Sequence, residues 1–213
     1  NSAKLIGFSI INGSGTYGVN GYSNIYAGGI LVQNSSPTIE DIIIRDNSAE
    51  LAGGIFFVQS NANISNCIIT HNTADEGGGI VIDIYTSITM NNLTISENHA
   101  ELYGGGFACW GPTTCKFENV TIANNSVDYE FGGGGISAWY NANVELINSI
   151  VWNNSPYEIR FSENDIINNI NISFSDIKNG QEGILTNNNV VINWLEGNID
   201  EDPLFCDVDN GDL

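Results

Sequence analysis

The sequence predicts an all-β fold, a right-handed parallel β-helix, and two motifs that keep step along the chain predict it. The first is a glycine run closed by an apolar residue: Ala27-Gly28-Gly29-Ile30, Ala52-Gly53-Gly54-Ile55, Gly77-Gly78-Gly79-Ile80, Gly104-Gly105-Gly106-Phe107 and Gly133-Gly134-Gly135-Ile136. The closing residues stand 25, 25, 27 and 29 positions apart, a period in the solenoid range. The second motif is an apolar residue, two polar residues and an asparagine: Ile44 to Asn47, Ile69 to Asn72, Ile95 to Asn98, Ile122 to Asn125 and Val151 to Asn154.

Each repeat reads, in order, as strand, turn, strand, asparagine turn, glycine turn and strand. Upstream of the second motif, apolar or small residues recur five and two places before its first residue, as Ile39 and Ile42, Ile64 and Cys67, Met90 and Leu93. Several steps of this segment are the period-two alternation of a half-buried strand, and no stretch keeps a helical period. A propeller would need longer repeats of about four strands each. One repeat cannot bury its own apolar residues, so coils must stack, about 4.8 Å apart, isoleucine on isoleucine. Glycine permits sharp corners, and asparagine tolerates left-handed backbone while its amide bonds a neighbour. Asn47, Asn72, Asn98, Asn125 and Asn154 are therefore expected to form an internal ladder.

The 213 residues suffice for one elongated domain of about seven or eight coils at this period. Residues 1–160 carry the regular repeats, and 161–213 read as irregular coils and an acidic tail. The opening at Asn1 without methionine and the end at Leu213 without an evident cap predict a piece of a longer secreted protein, because solenoids need capped ends. With 25 acidic against 5 basic residues and a net charge of −20, nucleic acid is excluded as a partner and an anionic membrane is disfavoured. No apolar run is long enough to span a bilayer.

Four cysteines add little. Cys67 takes a core position of the repeat as a small hydrophobe. Cys109 and Cys115 flank a turn and both point inward, so a disulfide across that corner stands against two free buried thiols. Cys206 lies in the tail and has no assigned partner.

The paired Gly-Gly-Ile and apolar-x-x-Asn elements resemble the GGA(I/L) and FxxN repeats of the polymorphic outer membrane proteins, with isoleucine replacing phenylalanine in most copies of the second. They are also similar to the wider class of bacterial right-handed β-helix surface proteins. The run from Gly197 to Phe205, followed by Asp209 to Asp212, looks like the close of many secreted β-helix proteins of environmental bacteria. The resemblance implies the β-helix fold and export to the outer membrane or beyond. It does not imply a function.

Catalysis is the rival to a binding or structural role. A pectate-lyase type needs a base and cations to abstract a proton beside a carboxylate, yet Lys4, Arg45, Lys116, Arg160 and Lys178 are scattered. Polygalacturonase-like D-D, G-H-G and R-I-K elements are absent from the sequence. His71 and His99 fall at different places in their repeats. The expectation is a non-catalytic adhesin-like segment or stalk facing a glycan or a neighbouring cell, with a carbohydrate-binding or polysaccharide-degrading β-helix as the alternative.

Two columns are candidate sites. Glu50, Asp75, Glu101 and Asp128 each follow a ladder asparagine by three places, and stacked carboxylates repel by about 1 kcal/mol at 5 Å even in a water-like dielectric. Calcium would offset this; alternatively each acid caps the N–H groups of its own glycine turn. The second column, three places past the inward residue, holds Asp83, Trp110 and Trp139, with Tyr140 next. Flat aromatics beside a carboxylate suit a sugar ring, or else they cover the sheet face. In the tail, Asp207, Asp209 and Asp212 have oxygen-ligand spacing without the glycine and glutamate of an EF-hand.

Overall fold

The computed structural model describes residues 3–17, 25–162 and 166–206. Three sheets wind around one apolar interior as a parallel solenoid of about six turns. The first sheet holds the longest strands, Ser87–Ser96 and Thr113–Ala123, and adds a last strand, Val190–Trp194, beyond the end of the third sheet. The second contains the short strands Ser48–Leu51, Thr73–Glu76, His99–Tyr103 and Ser126–Val127. The third runs through Ile30–Gln33, Ile55–Val58, Ile80–Asp83, Phe107–Trp110, Gly133–Trp139, Tyr157–Phe161 and Ile184–Leu185.

Register follows the motifs. Ile55, Ile80, Phe107 and Ile136 pair in sequence as one stack, and Ile44, Ile69, Ile95, Ile122 and Val151 as another. All nine side chains are fully buried, each contributing about 1.5–3 kcal/mol of transfer free energy. The same core continues past residue 160 through Ile170, Ile172, Ile177 and Ile184.

The asparagine ladder is continuous. Asn47 donates through its side-chain amide to the amide oxygen of Asn72 at 2.9 Å, Asn72 to Asn98 at 2.9 Å, Asn98 to Asn125 at 3.0 Å and Asn125 to Asn154 at 2.9 Å. Their backbone N–H groups donate to the same oxygens. The left-handed residue of this turn is not the ladder asparagine but the one before it: Asp46, His71, Glu97, Asn124 and Asn153 have φ of 57°, 55°, 55°, 57° and 62°. That kink sends the asparagine inward.

Glycine in the adjoining turn is required by proximity. A Cβ on Gly79 would lie 2.4 Å from the carbonyl oxygen of Gly106 and 3.1 Å from the amide nitrogen of Asn98. Glu158 occupies the equivalent place one coil after Gly135, preceding Ile159 as Gly135 precedes Ile136. Its side chain turns inward and ends the ladder, accepting from the amide of Asn154 at 2.7 Å and from the Asn154 backbone at 3.1 Å. Burial pushes the Glu158 carboxyl up from 4.5 to about 7, against the opposing pull of the Asn154 donors and Lys178.

Candidate functional site

The repeats lengthen between the ladder asparagine and the next glycine turn, and the added length carries aromatic residues. Tyr103 closes the strand His99–Tyr103, and Tyr129 and Phe131 occupy a turn that overhangs the third sheet. That turn is closed by the N–H of Gly132 donating to Tyr129 at 2.8 Å and hangs from the preceding coil through the Tyr129 N–H on Glu101 at 3.0 Å. The outward residues of the third sheet form a second apolar layer containing Phe56, Val81, Ala108 and Trp139, with Tyr103 and Trp110 packed against it. The third sheet is therefore apolar on both faces over these coils.

Rings meet edge to face along this layer. Tyr103 lies 5.0 Å from Trp139 at 79° and 5.5 Å from Tyr129 at 85°, while Tyr129 lies 5.7 Å from Phe131. Together with Tyr140, Tyr157, Arg160, Ser162, Leu185 and Asn187 they wall a cleft of about 550 Å³. Arg160 pairs in register with Ser137 and so faces outward. Its guanidinium sits 5.5 Å over the Tyr103 ring, a cation–π arrangement. Although Arg160 is only 8% exposed, its Nε has no hydrogen-bond partner among the described residues.

The expected aromatic column is half realised. Trp110 and Trp139 pair on neighbouring coils, but edge to face at 6.3 Å and 65°, and Trp139 is 8% exposed under Tyr103. The tryptophans therefore cover the sheet instead of offering two flat faces, with Tyr140, 52% exposed, at their margin. Asp83 does not join them; its carboxylate accepts from the Ile84 N–H at 2.7 Å, and burial holds its pKa above the usual range. A shallower depression of about 340 Å³ joins Glu76, Tyr103, Trp110, Trp139 and Tyr140.

The acidic column does not converge. Among the described residues no three acid, histidine or cysteine side chains form a group that could hold a metal ion. The extra residue in the third coil shifts register between Ala74 and Glu76, which sets Asp75 out of line with Glu101. Glu50 accepts from the Ile25 N–H at 3.0 Å, and Asp128 lies 3.6 Å from Nε2 of His99. The tail candidates Asp207, Asp209 and Asp212 lie outside the described residues.

Of the two alternatives at the Cys109–Cys115 corner, the structure has the thiols. Cys109 and Cys115 are both free and fully buried. Burial first, and then the hydrogen bond to Cys109, holds the Cys115 thiol well above its ordinary pKa. Thiols enclosed in apolar surroundings are inert packing groups.

A family model described as a right handed beta helix region matches residues 3–127. The chain belongs to the right-handed β-helix family. No curated protein and no solved structure matches it. The matched segment of the β-helix ends at Val127, immediately before the lengthened turn. Tyr103 alone of the cleft residues lies within it. Tyr103, Tyr129, Phe131, Tyr157 and Arg160 escaped the column reading of the sequence. The readable signal was the growth of the repeat from 25 to 29 residues with aromatics in the added positions.

Proposed function

We propose that the protein is a non-catalytic, secreted or cell-surface β-helix, an adhesin-like segment that binds glycan in the aromatic cleft. The observation that carries this reading is the cleft's lining of five aromatic side chains beside Trp139, with Ser162 and Asn187 also in the lining. The C–H faces of a sugar pack on aromatic rings, and its hydroxyls need a few convergent polar groups. The similarity of the repeats to polymorphic outer membrane proteins supports surface display.

The groups available support the non-catalytic reading. Glycoside hydrolysis calls for two carboxyl groups flanking the bond, and no carboxyl group lines the cleft among the described residues. A guanidinium such as that of Arg160 is a poor general base. On the second sheet Nδ1 of His99 meets the Ser126 hydroxyl at 3.0 Å, with Asp128 near its other nitrogen. There the backbone N–H groups of Ser126, Val127 and Asp128 are all committed to carbonyls of neighbouring coils, so none is free to hold an oxyanion. A glycan array run beside lyase and hydrolase assays on neutral and acidic polysaccharides tests the proposal. Binding without product formation is expected; turnover of any substrate would replace it with the polysaccharide-degrading alternative.

A further inference from the structure

Resting on the reading of the cleft as a glycan site, we propose that its ligand carries an anionic group on the sugar ring and that Arg160 takes that anion. In a chain with 25 acidic and 5 basic residues, Arg160 is the sole charged side chain lining the cleft among the described residues. Among the described residues no carboxylate pairs with it, and its buried Nε has no hydrogen-bond partner. A buried guanidinium is ordinarily held by a carboxylate or by carbonyl oxygens, since leaving charged donors unsatisfied is costly. Here Tyr103 supports one face of the group, and the side chain lines the cleft. A planar fork of donors backed by an aromatic ring is suited to a carboxylate or a sulfate ester. The neighbouring tyrosines and Trp139 position the ring that bears it.

The test is titration calorimetry of the full chain with four oligosaccharides of equal length: a cello-oligosaccharide, the corresponding glucuronate oligomer, its methyl ester and a sulfated cello-oligosaccharide. Wild-type protein is expected to prefer an anionic oligomer over its uncharged counterpart by roughly 10-fold or more, the scale of a charge-assisted hydrogen bond. Preference for the glucuronate identifies a carboxylate, and preference for the sulfated oligomer identifies a sulfate ester. Arg160→Gln should bring the ratio toward one, whereas discrimination that persists in this variant would overturn the role of Arg160. The methyl ester comparison needs no variant, so a folding defect in Arg160→Gln does not decide the outcome. Equal binding of neutral and anionic oligomers by wild-type protein would overturn this inference and leave the glycan site standing. Failure of all four to bind would overturn both.

Discussion

Raising the pH should weaken this solenoid at one identifiable place, the carboxyl group that ends the asparagine ladder. Glu158 is 3% exposed and its folded pKa is about 7 against 4.5 for the free group. Between those values the native state holds a proton that the unfolded chain has released, so stability falls as pH rises. The contribution is intact below pH 4.5 and is lost by about pH 8. Integrated over that window the loss is about 3 kcal/mol. Every other carboxylate also titrates, so the measurement must be differential. Glu158→Gln retains an oxygen that can accept from Asn154 and removes the titration. Urea denaturation of both proteins from pH 4.5 to 8 should show the variant gaining about 3 kcal/mol on wild type. In thermal melts this corresponds to roughly 6–12 °C for a chain of this size. Parallel pH profiles for the two proteins would refute the assignment of the buried proton to Glu158.

Two further outcomes test the fold and the acidic edge. Asn98→Ala removes the acceptor for the backbone and side-chain N–H groups of Asn72 and a donor to Ile69; a loss of roughly 3–5 kcal/mol is expected in denaturant melts, and a loss under 1 kcal/mol would mean that the ladder is not a stabilising network. Calcium and magnesium at equal ionic strength should shift the melting temperature equally, because Glu50, Asp75, Glu101 and Asp128 do not converge. A rise specific to calcium would restore a cation site.

The stacking was legible because it is repeated. Five glycine turns and five asparagine turns alternating along the chain leave one register that puts isoleucine on isoleucine, and Ile80 and Ile95 lie where that register places them. The left-handed kink was misread by one residue, since Asp46, His71, Glu97, Asn124 and Asn153 are of several residue types and only the following asparagine repeats at every turn. Glu158 was missed because it marks the loss of the pattern. The cleft was illegible for a related reason: a column count assumes coils of equal length. Tyr129 and Phe131 stand where they do because one coil is longer, and Trp139 is covered by Tyr103, which in turn meets Tyr129. A disulfide between Cys109 and Cys115 was open on spacing alone, and the structure has them as paired, enclosed thiols.

The overhanging turn at residues 128–132 has a consequence for how such a protein can change. In a globular enzyme an insertion beside the core disturbs neighbours on every side. In this solenoid, Phe107 still pairs with Ile136 and Ile122 with Val151 on either side of the longer coil, so the extra residues leave the vertical alignment untouched. Each coil is thus a separately editable shelf on a common upright. Transplanting the Asp128 to Gly132 turn to another level should move the overhang with it, and ligand preference can drift by turn length and content alone while the spine that holds the molecule together is left unaltered.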